Sequence, residues 1–222
     1  MKKNSLGFRS QSLVLVSVLG SWASVALATP SVQIVPGSLA VKGPGCPSDG
    51  SVFADIIKGS TVQFTFNDLM AIVSPDTGLV DQKNCVATVD VQVPAGYRVA
   101  PGPVFLEATV NGISETGSAT TYARYFIDGK ASELISKNVS AGDFPTDGSS
   151  LNLSLQSKDA SQNPDSWSSS CGGVHKLNLQ SRAIARRGAH DVGFTEVLID
   201  RAVGGTEHKI ACKVVLKPCG AP

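Results

Sequence analysis

The chain has 222 residues, with 19 lysines and arginines against 18 aspartates and glutamates and a formal balance of +1. Three of the basic groups, Lys2, Lys3 and Arg9, precede position 29 with no acid among them, so the rest of the chain holds 16 basic and 18 acidic residues and sits at −2. So weak a field excludes a protein drawn by its overall charge to nucleic acid or to an anionic membrane.

The N-terminus reads as an export leader. After the basic start, Leu13 to Leu27 is an apolar run broken only by small residues and Trp22, and Ala26-Leu27-Ala28 supplies the A-x-A pattern of a signal-peptidase site. The run is shorter than the roughly 20 apolar residues of a membrane span, and no cysteine follows the expected cut to carry a lipid. Residues 1–28 are therefore expected to be removed, leaving a secreted or periplasmic chain that begins near Thr29 and has no membrane span. Residues 29–42 form a lead-in segment or an edge strand. Residues 43–222 read as one domain, long enough to bury a core.

Period-two alternation then recurs along the chain. Val62, Phe64 and Phe66 open it, and Cys85, Ala87, Val89, Val91 and Val93 continue it. Thr121, Ala123, Tyr125 and Ile127 follow, then Leu151, Leu153 and Leu155, and last Ile210, Cys212, Val214 and Leu216. Each set gives a strand one buried and one wet face. Proline–glycine clusters and the turn signals "SPDTG", "IDGK", "PTDG" and "VGGT" interrupt every ten or so residues and leave no room for a long helix. The fold class is all-β, an antiparallel β-sandwich. Residues 128–150 and 157–170 read as long loops, where a binding surface is most to be expected.

Five cysteines in an exported chain are disulfide stock with one left over. The stretch "SWSSSCGGVHK" also raises a nucleophile, Cys171, with His175 as its base. On an extended strand those two side chains share a face but lie roughly 13 Å apart, and nothing selects His190 or His208 instead. No catalytic residue is assigned. The absence of C-x-x-C argues against a redox pair or a zinc knuckle, and "DASQNPD" offers Asp159, Ser161, Asn163 and Asp165 without the glycine and terminal glutamate of a calcium loop. No metal and no cofactor are expected. The cluster Arg182, Arg186, Arg187 reads as a solvated strand end, with a ligand patch as the alternative. The sequons at Asn138 and Asn152 have meaning only in a eukaryotic host. Trp167, the one tryptophan outside the leader, packs in the core or serves as a sugar-stacking platform, and it is the candidate ligand contact.

"GPGCPSDGSV", "KNCVATVDVQVPAGYRVA", "YARYFIDGK" and "WSSSCGGVHKLNLQSRAIA" resemble, in order, the landmarks of a family of small secreted proteins of fungi and bacteria, the domain-of-unknown-function family four-three-six-zero. The resemblance spans residues 43–219 and departs at Trp167, where three serines precede Cys171 without the family's proline. It implies that Cys46, Cys85, Cys171 and Cys219 are the bonded cysteines and Cys212 the free thiol, which sits on the apolar face of its strand. The partition it favours is Cys85 with Cys171 and Cys46 with Cys219. It brings no activity and no ligand.

The function that these residues support is binding or a structural, surface-associated role, with carbohydrate or another surface protein as partner. A secreted hydrolase acting on polysaccharide or cell-wall material is the alternative, and an inhibitor or effector directed at another protein is a third. No G-x-S-x-G, H-E-x-x-H or phosphate-cradling loop favours an enzyme.

Overall fold

A computed structural model describes residues 29–168, 170–199 and 209–220. The leader, the "VGGT" turn and His208 lie outside them. Among the described residues no helix is long and apolar enough to cross a membrane, and the only helical turns are short 3-10 pieces.

Two antiparallel sheets face each other. The first is built on β6 (Val80–Val93), β12 (Gly173–Arg186) and β8 (Ser118–Ile127), in that order. β1 (Gln33–Ile34) and β2 (Ala40–Lys42) pair along the free side of β6, while β10 (Ile135–Ser140) and β9 (Lys130–Ala131) pair with β8. The second sheet runs β3 (Val52–Ile57), β4 (Thr61–Phe66), β14 (Lys209–Pro218), β7 (Tyr97–Gly112), β13 (Thr195–Leu198) and β5 (Met70–Val73), with β11 (Leu151–Gln156) also pairing with β7. This is the expected β-sandwich. Residues 29–42 supply two short strands of the first sheet.

The alternation seen in the sequence is the reason for the two layers. Val62, Phe64 and Phe66 of β4 and Leu106 of β7 turn inward to meet Val89 and Val91 of β6, Tyr125 and Ile127 of β8, and Leu177 and Leu179 of β12, all fully buried. Burying one such side chain contributes roughly 1.5 to 3 kcal/mol. Between them, "IDGK" makes the tight hairpin from β8 to β9: Asp128 and Gly129 both have positive φ, 46° and 78°, which the twist of the strands requires.

Two readings of irregular chain are corrected. Residues 128–150 are not one loop, because β9 and β10 lie in their first half and the longest stretch without strand is 141–150. The "PGP" at 101–103, a turn signal by composition, lies inside β7. Proline is tolerated there because the ladder is interrupted: Cys212 pairs with Val104 and Val214 with Pro101, so Gly102 and Pro103 together oppose Lys213 in a β-bulge. The groups that the bulge leaves free are taken up from the opposite sheet. The Tyr125 hydroxyl accepts from the Gly102 N–H at 2.7 Å and donates to the Lys213 carbonyl. Burial of that hydroxyl, with the Cys212 sulfur beside it, holds its pKa well above the ordinary 10.0.

The disulfides join Cys46 to Cys85 and Cys171 to Cys219, with Cα separations of 5.4 and 6.2 Å. The partition Cys85–Cys171 is therefore wrong, and with it Cys46–Cys219. Register explains why: Cys85 lies opposite Ser181 on β12, and Cys171 lies beyond the start of that strand at Gly173, eight residues or roughly 26 Å from Ser181. A disulfide tolerates a Cα separation of at most about 7 Å. Cys46 instead reaches Cys85 because the Gly45 N–H bonds the Asn84 carbonyl at 3.0 Å. Cys212 is unbonded and fully buried, and burial raises its thiol pKa well above the ordinary 9.0.

Candidate functional site

The remaining long loop, 157–170, folds back along β7, and two serines hold it there by the same device. Ser157 donates its N–H to the Val104 carbonyl and accepts the Val104 N–H on its hydroxyl, at 2.9 Å each. Ser168 does the same with Val99, at 2.8 and 3.1 Å. The Gly172 N–H then bonds the Tyr97 carbonyl at 2.7 Å, and the bond from Cys171 to Cys219 locks the loop's end to the end of β14. Serine is suited to both positions, since one hydroxyl oxygen can accept while its hydrogen donates elsewhere.

Inside the loop, the residues that resembled a calcium site are turn caps. Asp159 accepts the Ser161 N–H at 2.9 Å and Asn163 accepts the Asp165 N–H at 3.0 Å, each starting a 3-10 turn. These turns carry the chain to Trp167. Its indole N–H donates to the Ser161 carbonyl at 3.1 Å, which fixes the ring's orientation, and the side chain is half-buried. Trp167 is thus neither a core residue nor a loose one.

The ring forms one wall of a groove of about 600 Å³ on the outer face of the second sheet. Arg98 of β7 and Lys217 of β14 line the groove, with Gln162, Pro164 and Val215 around them. Arg98 and Lys217 are direct cross-strand partners. The Lys217 ammonium lies 5.4 Å from the Trp167 ring centre, a contact of about 0.5 to 1 kcal/mol when exposed. The Arg98 Nε is buried and has no hydrogen-bond partner. Sequence reasoning singled out Trp167 and missed Arg98 and Lys217, because only strand register brings them together.

The cysteine–histidine reading ends here as well. Cys171 is bonded to Cys219, and "CGG" bends sharply, with Gly172 and Gly173 at φ 63° and 93°. His175 is buried, its Nδ1 2.5 Å from Asp128 Oδ2 and its Nε2 3.2 Å from the Gly172 carbonyl. With one ring nitrogen facing each oxygen, His175 ties the "IDGK" turn to the "CGG" bend. Of the arginine cluster, Arg187 clamps loops through the carbonyls of Gly78 and Asp191, at 2.9 and 2.7 Å, while Arg182 stacks 5.6 Å from the Tyr122 ring.

A family model described as "Domain of unknown function (DUF4360)" matches residues 31–219. No curated protein matches the chain. Among solved structures, TmCBM61 in complex with beta-1,4-galactotriose is similar, at 10% identity and a TM-score of 0.24, over 82% of this chain and 89% of that one.

Proposed function

The chain belongs to the DUF4360 family, whose description assigns no activity; from the site itself we propose that the protein is an extracytoplasmic saccharide-binding protein whose ligand lies against Trp167. Two disulfides fit an oxidising compartment. The half-buried indole, pinned through its N–H and set in an open groove, is the observation that carries the reading. A flat apolar face beside the Gln162 amide and the Arg98 guanidinium suits a sugar ring, which has apolar C–H faces and a polar rim. The loop is fastened at Ser157, Ser168 and Cys171 before any ligand arrives, so little ordering cost is left to binding.

The test uses the tryptophan itself. With the leader removed, Trp167 is the only tryptophan in the chain, so its emission reports on this groove alone. Titration of the exported protein with soluble polysaccharides is expected to shift or quench that emission, and Trp167→Ala is expected to weaken retention on the bound polysaccharide by tenfold or more, roughly 1.4 kcal/mol. Unchanged retention by a folded Trp167→Ala variant would refute the placement.

A further inference from the structure

Resting on that reading of the groove, we infer that its ligand is an acidic saccharide, whose anionic substituent is held between Arg98 and Lys217. Three observations converge on an anion. Arg98 and Lys217 face each other directly across β7 and β14, and like charges opposite one another destabilise a sheet. Among the described residues no aspartate or glutamate lines the groove to offset them. The Arg98 Nε, finally, is buried without a hydrogen-bond partner, so no acceptor among the described residues offsets that edge of the guanidinium.

The two cations suit different tasks. Arginine presents a planar fork that matches the two oxygens of a carboxylate or a sulfate, and lysine adds a mobile point charge. The Lys217 ammonium rests over the Trp167 ring. That contact is weak enough to be exchanged, so an arriving anion draws the ammonium off the indole and uncovers the face on which the sugar ring stacks. Charge and stacking are thereby coupled. A neutral sugar must displace the lysine with no compensating contact for it. The overall charge of the chain beyond the leader is −2, so attraction of an acidic polymer is local to this groove.

The experiment compares polygalacturonate and dextran sulfate with galactan and dextran, read by Trp167 emission and by affinity electrophoresis at low and at physiological salt. Acidic polymers are expected to bind at least about tenfold more tightly than their neutral counterparts, to weaken as salt is raised, and to lose about tenfold or more with Arg98→Gln or Lys217→Gln. Preference between the carboxylated and the sulfated polymer identifies the substituent. Arg182→Gln, on the outer face of the other sheet, is expected to bind as the parent does. Equal, salt-insensitive binding of the neutral polymers overturns the inference while leaving a saccharide site in place. Acidic binding that survives both groove variants, or that Arg182→Gln removes, overturns it also. Failure of all four polymers to perturb Trp167 counts against the saccharide reading and the inference together. Thermal melts of each variant separate lost binding from lost folding.

Discussion

Asp191 shows how a single carboxylate fastens one end of the sandwich. It is buried, and it accepts the Thr116 N–H and the Gly188 N–H, both at 3.0 Å, together with the Thr116 hydroxyl. These donors, the Thr116 N–H foremost, bring its pKa down from the ordinary 3.8 to about 2. Because the folded value lies below the unfolded one, the carboxylate's contribution is complete above about pH 4 and disappears as pH falls toward 2. The midpoint of urea unfolding is therefore expected to drop across that window in the parent protein and to change less in Asp191→Asn; superimposable pH profiles would contradict the assignment. Nothing in the sequence marked Asp191, nor the serines at 157 and 168. Each makes hydrogen bonds to a residue 50 to 80 positions away, and local composition carries no trace of a partner so distant. Trp167 was visible because a large aromatic ring in a serine-rich loop stands out by residue type alone.

At the level of elements, the two disulfides close spans of 39 and 48 residues, and the chain-entropy relation gives each about 4 kcal/mol of stability. Their consequences for the groove differ. Cys46–Cys85 ties β6 to the connection leading from β2, far along the chain from Trp167, while Cys171–Cys219 closes the loop that carries the indole. Replacing either pair by alanine is expected to lower the denaturation midpoint by a similar amount. Only the Cys171/Cys219 replacement is expected to raise the mobility of Trp167, measured by fluorescence anisotropy, and to weaken saccharide retention. Equal effects on the tryptophan from both would detach the loop's order from its disulfide. The strands themselves were legible wherever one face is wet, as in "CVATVDVQV" of β6. β7 was not, since Val99, Ala100, Val104 and Leu106 are all buried and the bulge admits two prolines. The cysteine partition failed for a related reason: it depends on which residues stand opposite, and register is not written in spacing.

At the scale of the whole molecule, the two sheets meet through apolar side chains, and the Tyr125 hydroxyl is a polar bridge buried among them. Removing it strands a buried N–H at Gly102 and a carbonyl at Lys213, each costing about 1 to 3 kcal/mol. Tyr125→Phe is thus expected to lose more stability in urea unfolding than its small change in volume suggests, and a loss under about 0.5 kcal/mol would show that the bulge finds other partners. Two layers could be foreseen from alternation, because any half-apolar sheet needs a second face to cover it. Strand order could not, because β12 pairs with β6 and β8, both distant in sequence. The bond from Cys171 to Cys219 has a mechanical consequence too. It joins the start of β12, clasped on both sides in the first sheet, to the end of β14 in the second. Tension applied beyond Cys219 divides between the two layers and enters β12 along its length. The last strand cannot be peeled away one rung at a time, and the domain resists such a pull in shear, as a laminate riveted at its edge.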